Sequence, residues 1–311
     1  MVGADKVSHV PPSSHATVSR GITAAVAGSL MTGFVGVVVP LTYGMTGIVL
    51  TCWRLWLGAL FLLVITLATG RRLSRAIFRA AVVPSLFLTA DFAMFFCSLK
   101  LTSVVDATVL GAMQPALIMI IARRMFHERL RARDVAWICV AIAGVTLAVL
   151  GPGARSPYAF QGDLLAVGAM LMWTGYWLSA KRVRETHEAM TFTTAVMTLC
   201  AGLIIPIWLC TGESVFRSHA SDWKWVALVA VVPSLGHIVL NYAQRFVAAS
   251  ISSAIGCLNP LVASVAAVPL AHQALSRTQV VGVAVGVGAV AVIAASNREP
   301  SLDPPAIPEV A

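Results

Sequence analysis

Charge is scarce in this sequence. Only 11% of its 311 residues are charged, while 58% are hydrophobic. A water-soluble globule is about half apolar and roughly a quarter charged. So many apolar side chains cannot be hidden in one water-surrounded core, which excludes a soluble domain and predicts an integral membrane protein. Other absences narrow the function. There is no G-x-x-x-x-G-K-[ST] run and no room for a soluble nucleotide domain, so an ATP-driven pump is disfavoured. There is no H-E-x-x-H and no acidic pair on a single helix. An intramembrane enzyme needs clustered nucleophiles, bases or metal ligands, so no catalysis, metal or cofactor is expected. None of the six cysteines (Cys52, Cys97, Cys139, Cys200, Cys210 and Cys257) forms a CxxC pair. That argues against a zinc site or disulfide framework and leaves core packing.

The charge that remains is basic, +9 in all. Its residues sit in short clusters between apolar runs, as in membrane loops, so nucleic acid is not the expected partner. A spanning helix takes about 20 mostly apolar residues. Ten runs qualify: 22–42, 47–69, 80–100, 104–125, 134–151, 161–181, 190–210, 223–244, 249–271 and 278–296. With the N-terminus in the cytoplasm, sixteen Lys and Arg fall on the inner side and six on the outer. This positive-inside bias predicts a multi-pass protein of the cell membrane with both termini cytoplasmic. Residues 1–21 and 297–311 read as polar, disordered tails. No A-x-A cleavage site follows the first run, so it is expected to stay as a helix.

The chain repeats itself at a constant offset of 145. VLGAMQPALIMIIARRMFHERL (109–130) matches AIGCLNPLVASVAAVPLAHQAL (254–275), pairing Gly111 with Gly256, Gln114 with Asn259, Pro115 with Pro260 and His127 with His272. Two five-helix units follow, at 22–151 and 161–296, joined by an external linker at 152–160. An odd helix number sets the two units in opposite orientations. The expected fold is all-α, with ten transmembrane helices as two inverted five-helix repeats, a transporter architecture with its site between the halves. VVPSL occurs at 82–86 and again at 231–235, four residues out of that register, and is treated as accidental.

These features resemble the drug/metabolite transporter superfamily, and within it the EamA family. The resemblance rests on G-x-x-[QN]-P in the fourth helix of each half, followed by H-E-R-L in the first and H-Q-A-L in the second, where Gln273 stands in place of the usual glutamate. It covers about residues 22–296. Arg54, near the start of the second helix, also resembles a family feature. The resemblance implies a secondary transporter exporting an amino acid, metabolite or drug, and leaves the substrate open.

Several residues are candidates for the transport pathway. Ser234, His237, Asn241 and Gln244 share one face of the eighth helix. Polar groups facing lipid are costly, so this stripe either lines a wet cavity or bonds to neighbouring helices. Asp91 interrupts the apolar SLFLTADFAMFFCSL and is matched by the offset with Gly236, next to His237. A central aspartate costs about 2.5–3.5 kcal/mol on insertion scales. It is expected to bind the proton that drives export, the alternative being a satisfied structural carboxyl. Trp173, Tyr176 and Trp177 form an aromatic patch that either walls the cavity or packs. Gln114 and Asn259 join the pathway set, and Pro115 and Pro260 are expected to kink their helices. Trp53 and Trp56 flank Arg54 near the outer surface, where an aromatic belt with a snorkelling arginine is preferred. Gly282-x-x-x-Gly286 in the tenth helix suits packing between halves or a homodimer contact. The basic loop 122–134 suits anionic headgroups. The leading function is a proton-coupled secondary exporter of a small molecule, working by alternating access. A lipid flippase or a membrane enzyme is the alternative.

Overall fold

The computed structural model describes residues 15–33, 35–102, 107, 110, 111, 114–125, 131–149, 159–216, 218–259, 261, 262 and 277–296, and no strand occurs among them. The main helices are α1 (His15–Gly33), α2 (Gly47–Ala68), α3 (Arg75–Leu101), α4 (Gln114–Met125), α5 (Ala132–Val149), α6 (Ala159–Arg184), α7 (Ala189–Thr211), α8 (Trp223–Ala243), α9 (Ala249–Ile255) and α10 (Arg277–Ser296). Five spans among the described residues are long and apolar enough to cross a membrane: Val18–Leu41, Gly47–Ala68, Arg75–Leu101, Ala189–Thr211 and Ala220–Ala243. The chain is therefore an all-helical membrane protein. Local chemistry marks several helix ends. The Thr46 and Ser74 hydroxyls accept the N–H of Val49 and Ile77 at the starts of α2 and α3. Gly212, in the left-handed conformation at φ 67°, ends α7.

The helices pack in pairs: α1 on α8, α2 on α7, α3 on α6, α4 on α9 and α5 on α10. α2 and α7 run antiparallel. The indole of Trp56 donates to the Ala201 carbonyl at 3.0 Å, and further along α2 the Thr66 hydroxyl meets that of Thr194 at 2.7 Å. Two clusters of connections mark opposite ends of the bundle. One is rich in arginine: Arg71, between α2 and α3, pairs with Glu188 at the start of α7 at 2.7 Å. At the other end, Asp222 Oδ2 accepts the Gly44 N–H at 2.9 Å, and Glu213 accepts the Thr46 hydroxyl.

Three expectations change. α1 is already helical at His15 rather than starting at residue 22. Its first turns are packed rather than free: a Cβ on Gly21 would lie 2.7 Å from Val247, so this segment is seated against the link between α8 and α9. Past residue 34, which lies outside the described residues, Val35–Val38 is helical and leads into the 3-10 turn Val39–Leu41. Second, the VVPSL pair is not accidental. Pro84 and Pro233 are buried inside α3 and α8, and Ser85 and Ser234 each donate to the carbonyl four residues back. Ser85 also donates to Val196 of α7, while Ser234 meets Gly58 of α2. The matching sites thus contact counterpart helices, which points to a one-turn shift of register here. With that shift Asp91 corresponds to Leu240 rather than Gly236, and His237 to Leu88. Third, of the cysteines, Cys139 and Cys210 face outward instead of packing in a core. The kinks expected at Pro115 and Pro260 fall at the edge of what is described: residues 110 and 111 are helical, residues 112 and 113 just before Gln114 and Pro115 lie outside the described residues, and so does Pro260.

The Gly282–Gly286 stripe is occupied within the chain. A Cβ on Gly144 of α5 would lie 2.5 Å from the Gly286 nitrogen, whereas one on Gly288 would meet nothing within 4 Å. The clash would be with backbone, which no rotamer change relieves. Gly144→Val should therefore destabilise the protein by about 1–3 kcal/mol or more, lowering the Tm of the detergent-purified protein. Gly288→Ala should leave the Tm within a degree or so of wild type. Equal melting of the two variants would refute this packing.

Candidate functional site

Between the two halves lies a cavity of about 160 Å³ with an open mouth, smaller than the roughly 300–1,000 Å³ common for small-molecule sites. α1, α2, α3 and α4 contribute Thr32, Arg54, Asp91 and Gln114 to its wall. α6 and α8 contribute Trp173 and His237, and Asn259 follows α9. Two offset-matched pairs, Gly111 with Gly256 and Gln114 with Asn259, converge here from opposite halves. The Thr32 hydroxyl and Asn259 Oδ1 lie 3.4 Å apart. The cavity extends from the level of Asp91 and His237 past Phe96 and Ala166, away from the arginine-rich end.

Arg54 does not snorkel. It is 2% exposed and lies in the cavity wall, its guanidinium carbon 3.7 Å from the centre of the Phe92 ring and 5.5 Å from that of Phe96. The reason is its depth: Arg54 is the eighth residue of α2, roughly 10 Å along the axis from the first at 1.5 Å per residue. Nε and Nη1 have no hydrogen-bond partner among the described residues. No ion pair within 4.0 Å joins Arg54 to Asp91 among the described residues, although both line the same space. The flanking tryptophans do not form a free belt. Trp53 donates to Val215 at 2.8 Å and stacks edge-on to Trp223, and Trp56 bonds α7.

The polar stripe of α8 is divided. Of its four residues, only His237 reaches the cavity, with its ring edge-on to Phe92, Trp173 and Tyr176 at centroid distances of 5.6, 5.5 and 6.1 Å. Ser234 faces α2, and the Gln244 amide is buried with neither atom partnered among the described residues. Asn241 lies one turn beyond His237, toward the arginine-rich end. Its amide nitrogen donates to Tyr176 Oη and to Thr193 Oγ1, both at 2.9 Å. This bridge ties α6, α7 and α8 together as a floor under the cavity. Arg184 braces it, donating to the Asn241 carbonyl at 2.9 Å. The aromatic patch divides in the same way: Trp173 is in the wall, Tyr176 in the floor, and Trp177 donates to the Ala249 carbonyl at 3.3 Å.

Arg54, Phe92 and Thr193 were missed by sequence reasoning. Arg54 carried a usable signal, since a charge eight residues into an apolar helix is too deep for a loop edge. Phe92 and Thr193 carried none, because aromatic and hydroxyl side chains are ordinary in apolar helices. In a background lacking the native cysteines, Gln114→Cys and Trp173→Cys should react with a small polar thiol reagent, while Ser234→Cys and Asn241→Cys should be at least tenfold slower. Equal labelling at all four sites would contradict the division between wall and floor.

The EamA-like transporter family model matches residues 19–150 and again 160–295. A relative from Bacillus subtilis (strain 168), the uncharacterized transporter YyaM, is 27% identical over 220 residues, which is 68% of this chain and 72% of its own. A solved crystal structure aligns with a TM-score of 0.73 at 20% identity, over 91% of this chain and 99% of the other; that likeness concerns the fold alone. With two copies of the family's unit matched over most of its length, the chain belongs to the EamA-like transporter family of the drug/metabolite transporter superfamily and is a membrane transporter.

Proposed function

We propose that the chain is a proton-coupled secondary exporter of a small molecule across the cell membrane. It works by alternating access between two inverted five-helix repeats, with both termini in the cytoplasm. The inverted arrangement is supported by the pairing of helices. α2 and α7, counterparts in the two halves, run antiparallel against each other. Exchanging the halves turns the pair α3 with α6 into α8 with α1, and both pairs pack. The charge asymmetry of the sequence supports an inner location for the arginine-rich end. The cavity then faces outward, and the Tyr176–Asn241–Thr193 bridge acts as its inner gate.

The observation that carries the coupling is that Asp91 and Arg54 share one cavity wall without a direct ion pair among the described residues. With the carboxylate charged, the two charges cancel. With Asp91 protonated, Arg54 alone sets the field. The potential inside the cavity therefore changes by a whole unit charge in surroundings of low dielectric, where it is felt strongly. A substrate bringing positive charge favours the charged carboxylate, so proton and substrate bind in alternation, as exchange requires.

Two experiments test this reading. Reporter fusions at residues 155 and 303 should report outside and inside respectively; both on one side would rule out the inverted repeat. Asp91→Asn keeps the side-chain size but cannot titrate. In vesicles it should insert normally, bind substrate without pH dependence and lose at least 90% of proton-driven transport. A wild-type rate with an unchanged pH profile would show that the carboxyl is structural.

A further inference from the structure

We propose that a second cavity, at the arginine-rich end between α6, α7 and α8, binds a phosphate group, carried by an inner-leaflet phospholipid or free in the cytoplasm. The proposal rests on the inner placement of the arginine-rich end proposed above and not on proton coupling. Arg71, Arg184 and Arg245 line this second cavity with one carboxylate, Glu188. Three cations against one anion leave two positive charges in a single recess. The surrounding contacts hold the arginines without neutralising them. Arg71 is fixed by Nε at 2.7 Å from Glu188 Oε1, which leaves the other side of its fork available. Arg184 is 1% exposed and held by two carbonyls, those of Asn241 and His187, which carry no net charge. Arg245, exposed on the turn after α8, has its guanidinium 5.9 Å from the Phe246 ring, and no ion pair reaches it among the described residues. Arg184 and Arg245 lie close enough for their charges to oppose each other.

Bringing like charges together around a recess is unfavourable unless an anion fills it. Planar guanidinium forks match phosphate oxygens two at a time. The rest of the lining suits what a phosphate is attached to. Ile238 and Val239 form an apolar side, and Tyr242, 41% exposed, stands at its edge. An apolar wall leading to a tyrosine and then to arginines is the order met by a lipid at the membrane interface, from acyl chain to glycerol to headgroup. The site adjoins the floor of the substrate cavity, because Arg184 also holds the Asn241 carbonyl.

The test uses the full chain, purified and stripped of lipid in an uncharged detergent. Its Tm is followed while dioctanoyl phosphatidylglycerol or inorganic phosphate is added. Lipid phosphorus that co-purifies before stripping is counted as well. A saturable rise of several degrees is expected, at least halved in Arg245→Gln and in Arg71→Gln, and partly kept in Arg245→Lys. The exposed Arg245 can be replaced without disturbing the fold, which the unliganded Tm of each variant checks. A rise with phosphatidylglycerol alone, together with about one more retained lipid phosphorus per chain in wild type than in Arg245→Gln, assigns the site to a lipid. An equal rise with inorganic phosphate assigns it to a free phosphate group. No rise with either ligand, or a rise unchanged in both glutamine variants, overturns the proposal.

Discussion

A guanidinium inside a bilayer has to be accommodated by its own protein, and the cavity between the halves is arranged around that requirement. Arg54 sits eight residues into an apolar helix and cannot reach the interface. Phe92 covers one face of its charge at 3.7 Å, and Phe96 lies farther along the same helix. Cation–π contact contributes about 2 kcal/mol or more when desolvated, less than the several kcal/mol that burying an ion costs. Among the described residues Nε and Nη1 find no hydrogen-bond partner, and the opposite charge that acts on the group is that of Asp91 in the same cavity wall. The charge of Arg54 makes the nearby carboxyl of Asp91 consequential, because the two together decide whether the cavity is neutral or cationic.

The hydrogen bonds of the floor follow a related rule. In lipid, every polar group must find its partner within the protein. Asn241 satisfies its amide with hydroxyls from two other helices, Tyr176 and Thr193, and its carbonyl with Arg184. Each such bond is worth only about 0.6 kcal/mol on average in a membrane protein. If the bridge is the inner gate proposed above, a few such bonds can open at a cost that substrate binding can supply. A hydrophobic seal of equal area would lack that directionality.

Much of the fold was legible because bilayer physics leaves a coarse signature. Apolar runs, short loops and arginine clusters mark helices and their ends with little ambiguity, and the [QN]-P repeat put Gln114 and Asn259 together before any coordinates. The site was less legible for a geometric reason. Helical periodicity tells which residues share a face, but not what that face meets along its length. Ser234, His237, Asn241 and Gln244 do share a face, yet it passes α2, then the cavity, then the floor, so one stripe serves three surroundings. Arg54 was misjudged by the opposite error: its sequence distance from a loop was taken as small, although each residue adds about 1.5 Å of depth.

The register shift at VVPSL changes which residues of the two halves stand at equal depth. A four-residue displacement is about one helical turn, roughly 6 Å. It keeps each side chain facing the same way while changing its level. Ser85 and Ser234 therefore still occupy like positions against α7 and α2. Asp91 in α3 then corresponds to Leu240 in α8, and His237 in α8 to Leu88 in α3; in the unshifted register their partners would be Gly236 and Phe92, so neither is matched in either case. The acid is thus present in one half only, and so is the imidazole. Under the proposed alternating access, rocking one half against the other changes the surroundings of Asp91 and His237 unequally, and the two end states then differ in energy according to whether a proton is bound. A fold of near-symmetric packing can in this way carry an asymmetric charge, and a proton gradient can act on that asymmetry.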